Sequence, residues 1–178
     1  MTANKINYST DSSPITPRTS SKAALVDRVI QLYGDLLYDL CESVLWNPVT
    51  AQLTFRSIMK SIRRNTSADL SFQEYERPWV LRIATQELLK LAASHQRRLT
   101  PSEQIQLDSD QDPLSRLKLF GSYFHRLSAD DQVLLLLRDK YGLPYPEIST
   151  ALGRPEGTVK TQRAQAIRAL ENWLWDNS

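Results

Sequence analysis

The sequence predicts an all-α protein: two small helical domains, an acidic linker between them, and a C-terminal helix-turn-helix. The chain has 178 residues, of which 41% are hydrophobic and 24% charged, enough apolar material for folded structure. With only 5 Gly, it has few of the flexible turns that a many-stranded sandwich or barrel needs. Apolar residues recur at helical spacing over long segments, which favours helices.

Composition excludes several classes of protein. Cys41 is the only cysteine, so no internal disulfide can form, which is typical of a reducing cytoplasm. The two histidines, His95 and His125, are too few for a metal site, and we expect no cofactor. The longest aliphatic run, residues 133–137, is far shorter than the roughly 20 apolar residues that cross a bilayer. We therefore expect a cytoplasmic protein with no membrane-inserted segment.

The chain divides into four predicted segments. Residues 1–20 are rich in Ser and Thr and lack an apolar centre, so we expect a disordered tail rather than a signal peptide. Residues 21–98 form the first helical domain and residues 99–113 the acidic linker. Residues 114–178 form the second helical domain.

The first domain is predicted to contain three helices. Paired apolar residues recur through residues 25–45 and lay a wide stripe along one helix face. This helix should end before Pro48, because proline disfavours helical geometry at Asn47. Asn47 can then cap a second helix over residues 48–64. A third helix is expected over residues 78–94.

Turn signals divide the second domain into short helices. Ser128 followed by Asp131 resembles a capping box, and Gly142 should end the helix that this box begins. A short helix is expected over residues 146–152 and a longer one over residues 155–175. Short helix, tight turn and longer helix form a helix-turn-helix pattern.

Two predicted helices carry polar faces. On the third helix, Arg82, Gln86 and Lys90 lie opposite the apolar side at about 100° per residue. Taken alone, such a stripe is more typical of an ordinary solvated face than of a binding site. On the last helix, the outward residues could contact phosphates or base edges, although spacing alone leaves an ordinary helical bundle open. They are Thr158, Thr161, Gln165 and Arg168, with Lys160 and Gln162 on the flanks.

Three stretches resemble bacterial RNA polymerase sigma factors. Residues 143–161 resemble the promoter-reading C-terminal domain of that family, most specifically in the run Glu-Gly-Thr-Val-Lys at 156–160. Residues 127–134 are similar to the start of that family domain. Upstream, Pro-Trp-Val-Leu-Arg-Ile-Ala at 78–84 is similar to the family segment that engages the melted promoter element. With two domains and a linker, the chain resembles a small sigma factor of the extracytoplasmic-function (ECF) group.

The resemblance implies a subunit without catalysis of its own that docks on core RNA polymerase and brings it to promoter DNA. For the last helix it implies insertion into the major groove of the upstream element. Lys160 and Arg168 would then hold phosphates, and Thr161, Gln162 and Gln165 would lie near bases.

For the first domain the resemblance implies contact with melted DNA. The loop over residues 65–75 would receive an unstacked base, while Arg82, Gln86 and Lys90 track the single strand. Trp79 is an aromatic residue available for stacking. It begins an apolar helical stripe, however, so a structural role is favoured for it.

Core polymerase binding is expected on the second helix. Relatives usually carry an acidic, Gln-bearing surface there, whereas this helix has Gln52 and no acid. This helix would then bind the polymerase through contacts that differ from those of relatives, or the chain would regulate transcription without initiating it. The expected contact residues are Gln52, Phe55, Arg56 and Met59.

Four positions depart from the family pattern. Arg163 stands where relatives commonly have Leu, and we expect its guanidinium to reach solvent or Glu147. Gln162 and Gln165 stand where relatives are often basic, so fewer phosphate contacts are expected. Pro144 replaces a usual capping residue, so the first helix of the motif should be less firmly capped.

Three functions remain open. The first is a sigma factor with core polymerase, promoter DNA and an anti-sigma factor as partners and no small-molecule substrate. The second is a stand-alone helix-turn-helix regulator in which residues 21–98 sense or dimerise. The third is a sigma-like decoy that does not initiate. An enzyme is not expected, because Asp130 and Asp131 suit a helix's first turn and no Gly-rich phosphate loop or nucleophile elbow is present.

Overall fold

The computed structural model describes residues 18–65, 76–96 and 120–175, and these form helices joined by turns, with no strand among them. The expected all-α fold class is confirmed for these ranges. Most of the predicted tail, most of the 65–75 loop and the whole 99–113 linker lie outside the described residues. The helices are α1 (Arg18–Leu45), α2 (Pro48–Asn65), α3 (Glu76–Gln96), α4 (Ala129–Leu135), α5 (Tyr145–Leu152) and α6 (Glu156–Trp175).

The break between α1 and α2 follows the predicted capping. The Asn47 side-chain oxygen accepts a hydrogen bond from the Thr50 N–H at 2.9 Å, and Pro48 occupies the first helical position. Trp46 adopts a left-handed backbone with φ of 50° where α1 ends. At the other end, α1 begins at Arg18, inside the segment expected to be a tail.

The second helical group begins with a helical turn at residues 120–124 and continues through α4. Ser128 caps α4 by accepting a hydrogen bond from the Asp131 N–H at 3.1 Å, as predicted. The helix then widens into a π-helical segment, Leu136–Lys140, before Gly142 turns the chain with φ of 66°. Gly153, with φ of 65°, ends α5, since glycine adopts a left-handed backbone without strain.

Both helical groups contribute to one hydrophobic core. Leu37, Ile58 and Leu88 from the first group lie in the same buried cluster as Leu134 and Ile148 from the second. A smaller cluster joins the 120–124 turn and α4 to the second half of α6. The two groups are therefore in direct contact. Their division into two domains stays a prediction, because the linker lies outside the described residues.

The closest packing between the groups is that of α3 against α5. The Thr85 hydroxyl donates a hydrogen bond to the Ala151 carbonyl at 2.8 Å, and the Thr85 side chain is only 1% exposed. At the margin, the Arg77 guanidinium donates to the Glu147 carboxylate with an Nε–Oε2 distance of 2.6 Å. The α3–α5 contact therefore combines a buried polar bond with a partly exposed ion pair.

A second contact joins α1 and its end to the C-terminal group. The Lys140 ammonium donates to the Asp39 carboxylate at 2.7 Å, and the Tyr141 hydroxyl donates to the same group. The Trp46 and His125 rings pack with their centroids 3.7 Å apart. These contacts hold α1 and its end against the residues on either side of α4.

Replacing Thr85 by Val should destabilise the fold. Valine keeps the side-chain shape but leaves the Ala151 carbonyl buried without its donor, which costs about 1–3 kcal/mol. Thr85→Ser keeps the hydroxyl and should cost only about 1 kcal/mol for the lost methyl group. Urea unfolding of the full chain measures both values. A Val variant as stable as the Ser variant would contradict this role for the hydroxyl.

Acid pH should weaken the Trp46–His125 contact. Burial lowers the pKa of His125 from 6.5 to about 4, so the folded protein holds a neutral imidazole. The unfolded chain takes up this proton first as pH falls, so stability is fully present above pH 6.5 and decreases towards pH 4. Between about pH 7 and about pH 5, urea unfolding should show a larger loss for the wild type than for His125→Phe. Equal losses would show that His125 does not carry this dependence.

Candidate nucleic-acid interface

The last helix, α6, presents one buried and one open face. Val159, Ala166 and Leu170 are buried, whereas Leu174, near the end of α6, is exposed. A shallow groove opens along the outer side of the first three turns. Its lining residues are Gly157, Thr158, Thr161, Gln162 and Gln165.

Most of the predicted DNA-contacting side chains lie on this open face. Thr158, Thr161, Gln165 and Arg168 are exposed. The Thr161 hydroxyl donates to the Gly157 carbonyl at 3.0 Å, so its oxygen is still able to accept a hydrogen bond. The exposed residues can thus offer an amide, a methyl group and a cation to a groove of DNA.

Lys160 is held to one side of the open face. Its ammonium lies 3.3 Å from the Glu156 carboxylate, one helical turn earlier. It also lies 5.2 Å from the centroid of the Tyr145 ring, and the Arg138 guanidinium lies 4.7 Å from the same centroid. Two cations therefore meet at Tyr145, where α5 begins. Sequence reasoning missed Arg138, because only the fold brings the π-helical segment that carries it to this ring.

Gln162 is engaged in contacts within the protein. Its amide nitrogen donates to the Asp131 carboxylate at 2.8 Å, and its amide oxygen accepts from the Arg154 guanidinium at 2.8 Å. Arg154 also forms an ion pair with Asp130. These bonds join the start of α4, the turn after α5 and the recognition helix α6. Gln162 could reach a base only after releasing both of its bonds.

The structure corrects the expected position of Arg163. Its guanidinium pairs with Asp139, with an Nε–Oδ2 distance of 3.0 Å, and does not pair with Glu147. Glu147 instead binds Arg77 of α3. The hydrogen bond with Asp139 raises the pKa of Arg163 above its ordinary value, so this cation stays charged. Pro144 provides no side-chain cap for α5, as predicted.

On α3 the predicted stripe is exposed and the opposite side is buried. Arg82, Gln86 and Lys90 face solvent, whereas Leu81 and Leu88 are part of the core. Trp79 is half-buried and packs against the core, which supports a structural role for it. The stripe therefore consists of polar and basic side chains, with Trp79 set partly beneath it.

The four predicted polymerase contacts on α2 divide into two pairs. Gln52 and Arg56 are exposed, whereas Phe55 and Met59 are half-buried and pack against the core. The Phe55 ring meets the Tyr38 ring edge to face, with the centroids 5.9 Å apart. A partner could therefore reach the first pair without rearranging α2.

The ranges that the structure describes contain no group of three or more His, Cys, Asp or Glu residues that could hold a metal ion. None of their helices is long and apolar enough to span a membrane. Burial raises the pKa of the Cys41 thiol to about 12, so this cysteine is a poor nucleophile.

Helix α5, the turn at Gly153 and the longer α6 form a helix-turn-helix. Residues 118–170 match the family model of sigma-70, region 4. The match covers the 120–124 turn, α4, α5 and most of α6, so this part of the chain is similar to sigma-70 region 4. A search of the curated proteins finds no match.

Replacing Gln162 by Met should test its positioning role. Methionine has a similar length but leaves Asp131 and Arg154 without their amide partner, which should cost about 1–2 kcal/mol of stability. DNA affinity should fall to the same extent on all sequences, because α6 loses its support rather than a base contact. The control Gln165→Met, on the open face, should change stability by no more than about 0.5 kcal/mol. A selective loss on one DNA sequence would make Gln162 a base reader.

Proposed function

We propose that this chain is an RNA polymerase sigma factor of the ECF group, which binds core polymerase and directs promoter-specific initiation. One observation carries the proposal: the open polar face of α6 lies in the stretch that matches sigma-70 region 4. In this role the protein has no catalysis of its own, acts in the cytoplasm, and has an anti-sigma factor as a further partner.

The recognition helix would enter the major groove of the upstream promoter element. Arg168 and Lys160 would bind phosphates, while Thr158, Thr161 and Gln165 would lie close to base edges. Arg168 is exposed and forms no ion pair with the described residues, so its charge is available. Gln162, tied to Asp131 and Arg154, would hold the helix at its angle.

The first domain would bind the melted promoter element and the polymerase. The exposed stripe of Arg82, Gln86 and Lys90 offers a cationic track with an amide for a single strand. Trp79 would support the stripe from its half-buried position. Gln52 and Arg56 would contact core polymerase directly, with Phe55 and Met59 shaping the helix beneath them.

A stand-alone helix-turn-helix regulator is the second candidate. The packing of α3 on α5 favours it, because a sensing or dimerising module would act through such a shared core. The acid-free α2 likewise favours a sigma-like decoy that binds a partner without initiating.

One reconstitution separates these functions. The full chain is mixed with core polymerase free of other sigma subunits and tested for transcription from a genomic DNA library. Initiation at defined start sites supports the sigma factor. Polymerase binding without initiation would favour the decoy, and DNA binding without polymerase contact would favour the regulator.

Replacing Arg168 by Ala should weaken DNA binding almost equally across sequences. Loss of one phosphate contact should reduce the slope of log affinity against log salt by roughly 1. Arg126→Ala, which removes an exposed cation outside α6, is the matched control and should leave the slope unchanged. Affinities are measured by fluorescence anisotropy on several duplexes. A loss confined to one sequence would make Arg168 a base reader.

Replacing Thr161 or Gln165 should change the preferred upstream sequence. Each lost base contact should cost about 1–3 kcal/mol of discrimination between the preferred base pair and its alternatives. Selection from a randomised duplex library reads this preference for wild type and each variant. If neither variant changes the selected sequence, the open face of α6 does not read bases.

A further inference from the structure

Tyr145, the first residue of α5, has two cations beside its ring. The Lys160 ammonium of α6 lies 5.2 Å from the ring centroid, and the Arg138 guanidinium lies 4.7 Å from it. Both distances fall within the range of about 6 Å over which the face of an aromatic ring attracts a cation. The ring therefore acts on a charged side chain of the neighbouring helix α6.

Arg138 and the core fix the position of this ring. The Arg138 guanidinium donates a hydrogen bond to the Leu143 carbonyl at 2.8 Å, two residues before Tyr145. Tyr145 is itself half-buried and packs against the hydrophobic core. Arg138 is thereby bound to the loop that leads into α5, whereas Lys160 is exposed and can meet a molecule from outside.

The contacts of the Lys160 ammonium leave it able to bind an anion. An ammonium has three N–H donors. Within the part of the chain that the structure describes, its neighbours are the Glu156 carboxylate at 3.3 Å and the Tyr145 ring, which account for two of them. The ring has no net charge, so it holds the ammonium without neutralising it. One donor remains for an acceptor such as a phosphate oxygen.

The position of Lys160 on α6 suits a DNA phosphate. Lys160 is turned by about 100° around the helix axis from Thr161, which lies on the open face. A helix with its side chains is about 10–12 Å across and the major groove is about 12 Å wide, so the flanks of an inserted helix lie next to the phosphate strands. A cation already held on such a flank loses less side-chain freedom when DNA binds.

From these contacts we infer that Tyr145 is a positioning residue for DNA binding: its ring holds the Lys160 ammonium on the flank of α6, where a phosphate meets it. Tyr145 acts through Lys160 and not through a contact of its own. The inference rests on the proposed function, because it requires α6 to enter the major groove. It adds a residue of α5 to the groups that determine the affinity of α6.

A purely structural role of Tyr145 has a different signature. A core side chain supports α5 through its volume, so its removal would lower stability and DNA affinity together, whichever residue stands at position 160. A positioning ring affects DNA affinity only while Lys160 is present. The electron density on the face of the ring, rather than its volume, then determines the effect.

A double-mutant cycle tests this dependence. Fluorescence anisotropy measures the affinity of the full chain for a duplex that carries the sequence selected by the wild type. Tyr145→Leu should weaken binding about two- to fivefold when Lys160 is present and leave it nearly unchanged in a Lys160→Met background. Tyr145→Phe keeps the ring and should bind almost as tightly as the wild type. Equal weakening by Tyr145→Leu in both backgrounds would overturn the inference.

Lys140→Met is the matched control for the cycle. Lys140 is also an exposed lysine beside a tyrosine ring, with its ammonium 5.7 Å from the centroid of Tyr141, but it does not lie on α6. Its replacement should leave DNA affinity unchanged and should not alter the effect of Tyr145→Leu. Coupling of the same size with Lys140 would overturn the inference.

Fluorinated phenylalanines at position 145 separate the charge of the ring from its volume. Fluorine withdraws electron density from the ring face and changes the volume little. DNA affinity should therefore fall stepwise through Phe and its mono-, di- and trifluoro forms, while the urea midpoint stays constant. In the Lys160→Met background the series should be flat. Equal affinities across the series with Lys160 present would overturn the inference.

NMR of the free chain tests the contact without DNA. The ring current of Tyr145 should shift the ε-methylene resonances of Lys160 upfield, and Tyr145→Leu, but not Tyr145→Phe, should remove the shift. Lack of this shift in the wild type would overturn the inference. If Lys160→Met weakens duplex binding and the Tyr145 variants do not, the inference fails and the proposed function stands. If the wild type binds no duplex, both fail.

Discussion

The hydrogen bond from Thr85 to Ala151 connects the helix-turn-helix to the rest of the chain. The Ala151 carbonyl lies in the last turn of α5, where no further helical N–H is available to it. A buried carbonyl without a donor costs free energy, so the Thr85 hydroxyl makes α3 part of the cap of α5. The turn that leads into α6 therefore begins at the end of α5, and that end is bound by Thr85 of α3. The direction of α6 depends on this contact.

The ion pairs around this contact add less stability. Arg77 with Glu147 and Lys140 with Asp39 are partly exposed, and pairs of this kind contribute about 0–1 kcal/mol each. The buried core side chains and the Thr85 bond carry the contact, and the Arg77–Glu147 pair joins the same two helices at its margin.

Local signals predicted the element boundaries well. Asn47 and Ser128 cap their helices and Gly153 ends α5, because each acts within a few residues along the chain. The partners of Arg163 and Gln162 were not predictable in this way. A helical wheel gives the direction of a side chain, but it does not say which acid of another helix it meets. The π-helical segment and the α3–α5 packing were missed for the same reason.

The shared core sets a requirement for any state in which the helix-turn-helix leaves α3. Separation would expose Ile148 and Leu88 to water and would remove the donor from the Ala151 carbonyl. A partner can favour such a state only by binding it more tightly than the packed one. Core polymerase and promoter DNA are the proposed partners. If they bind the two helical groups in a separated state, they would have to bind that state more tightly than the packed one. If they bind the packed chain, the exposed stripe of α3 and the open face of α6 are both already accessible in the structure described here.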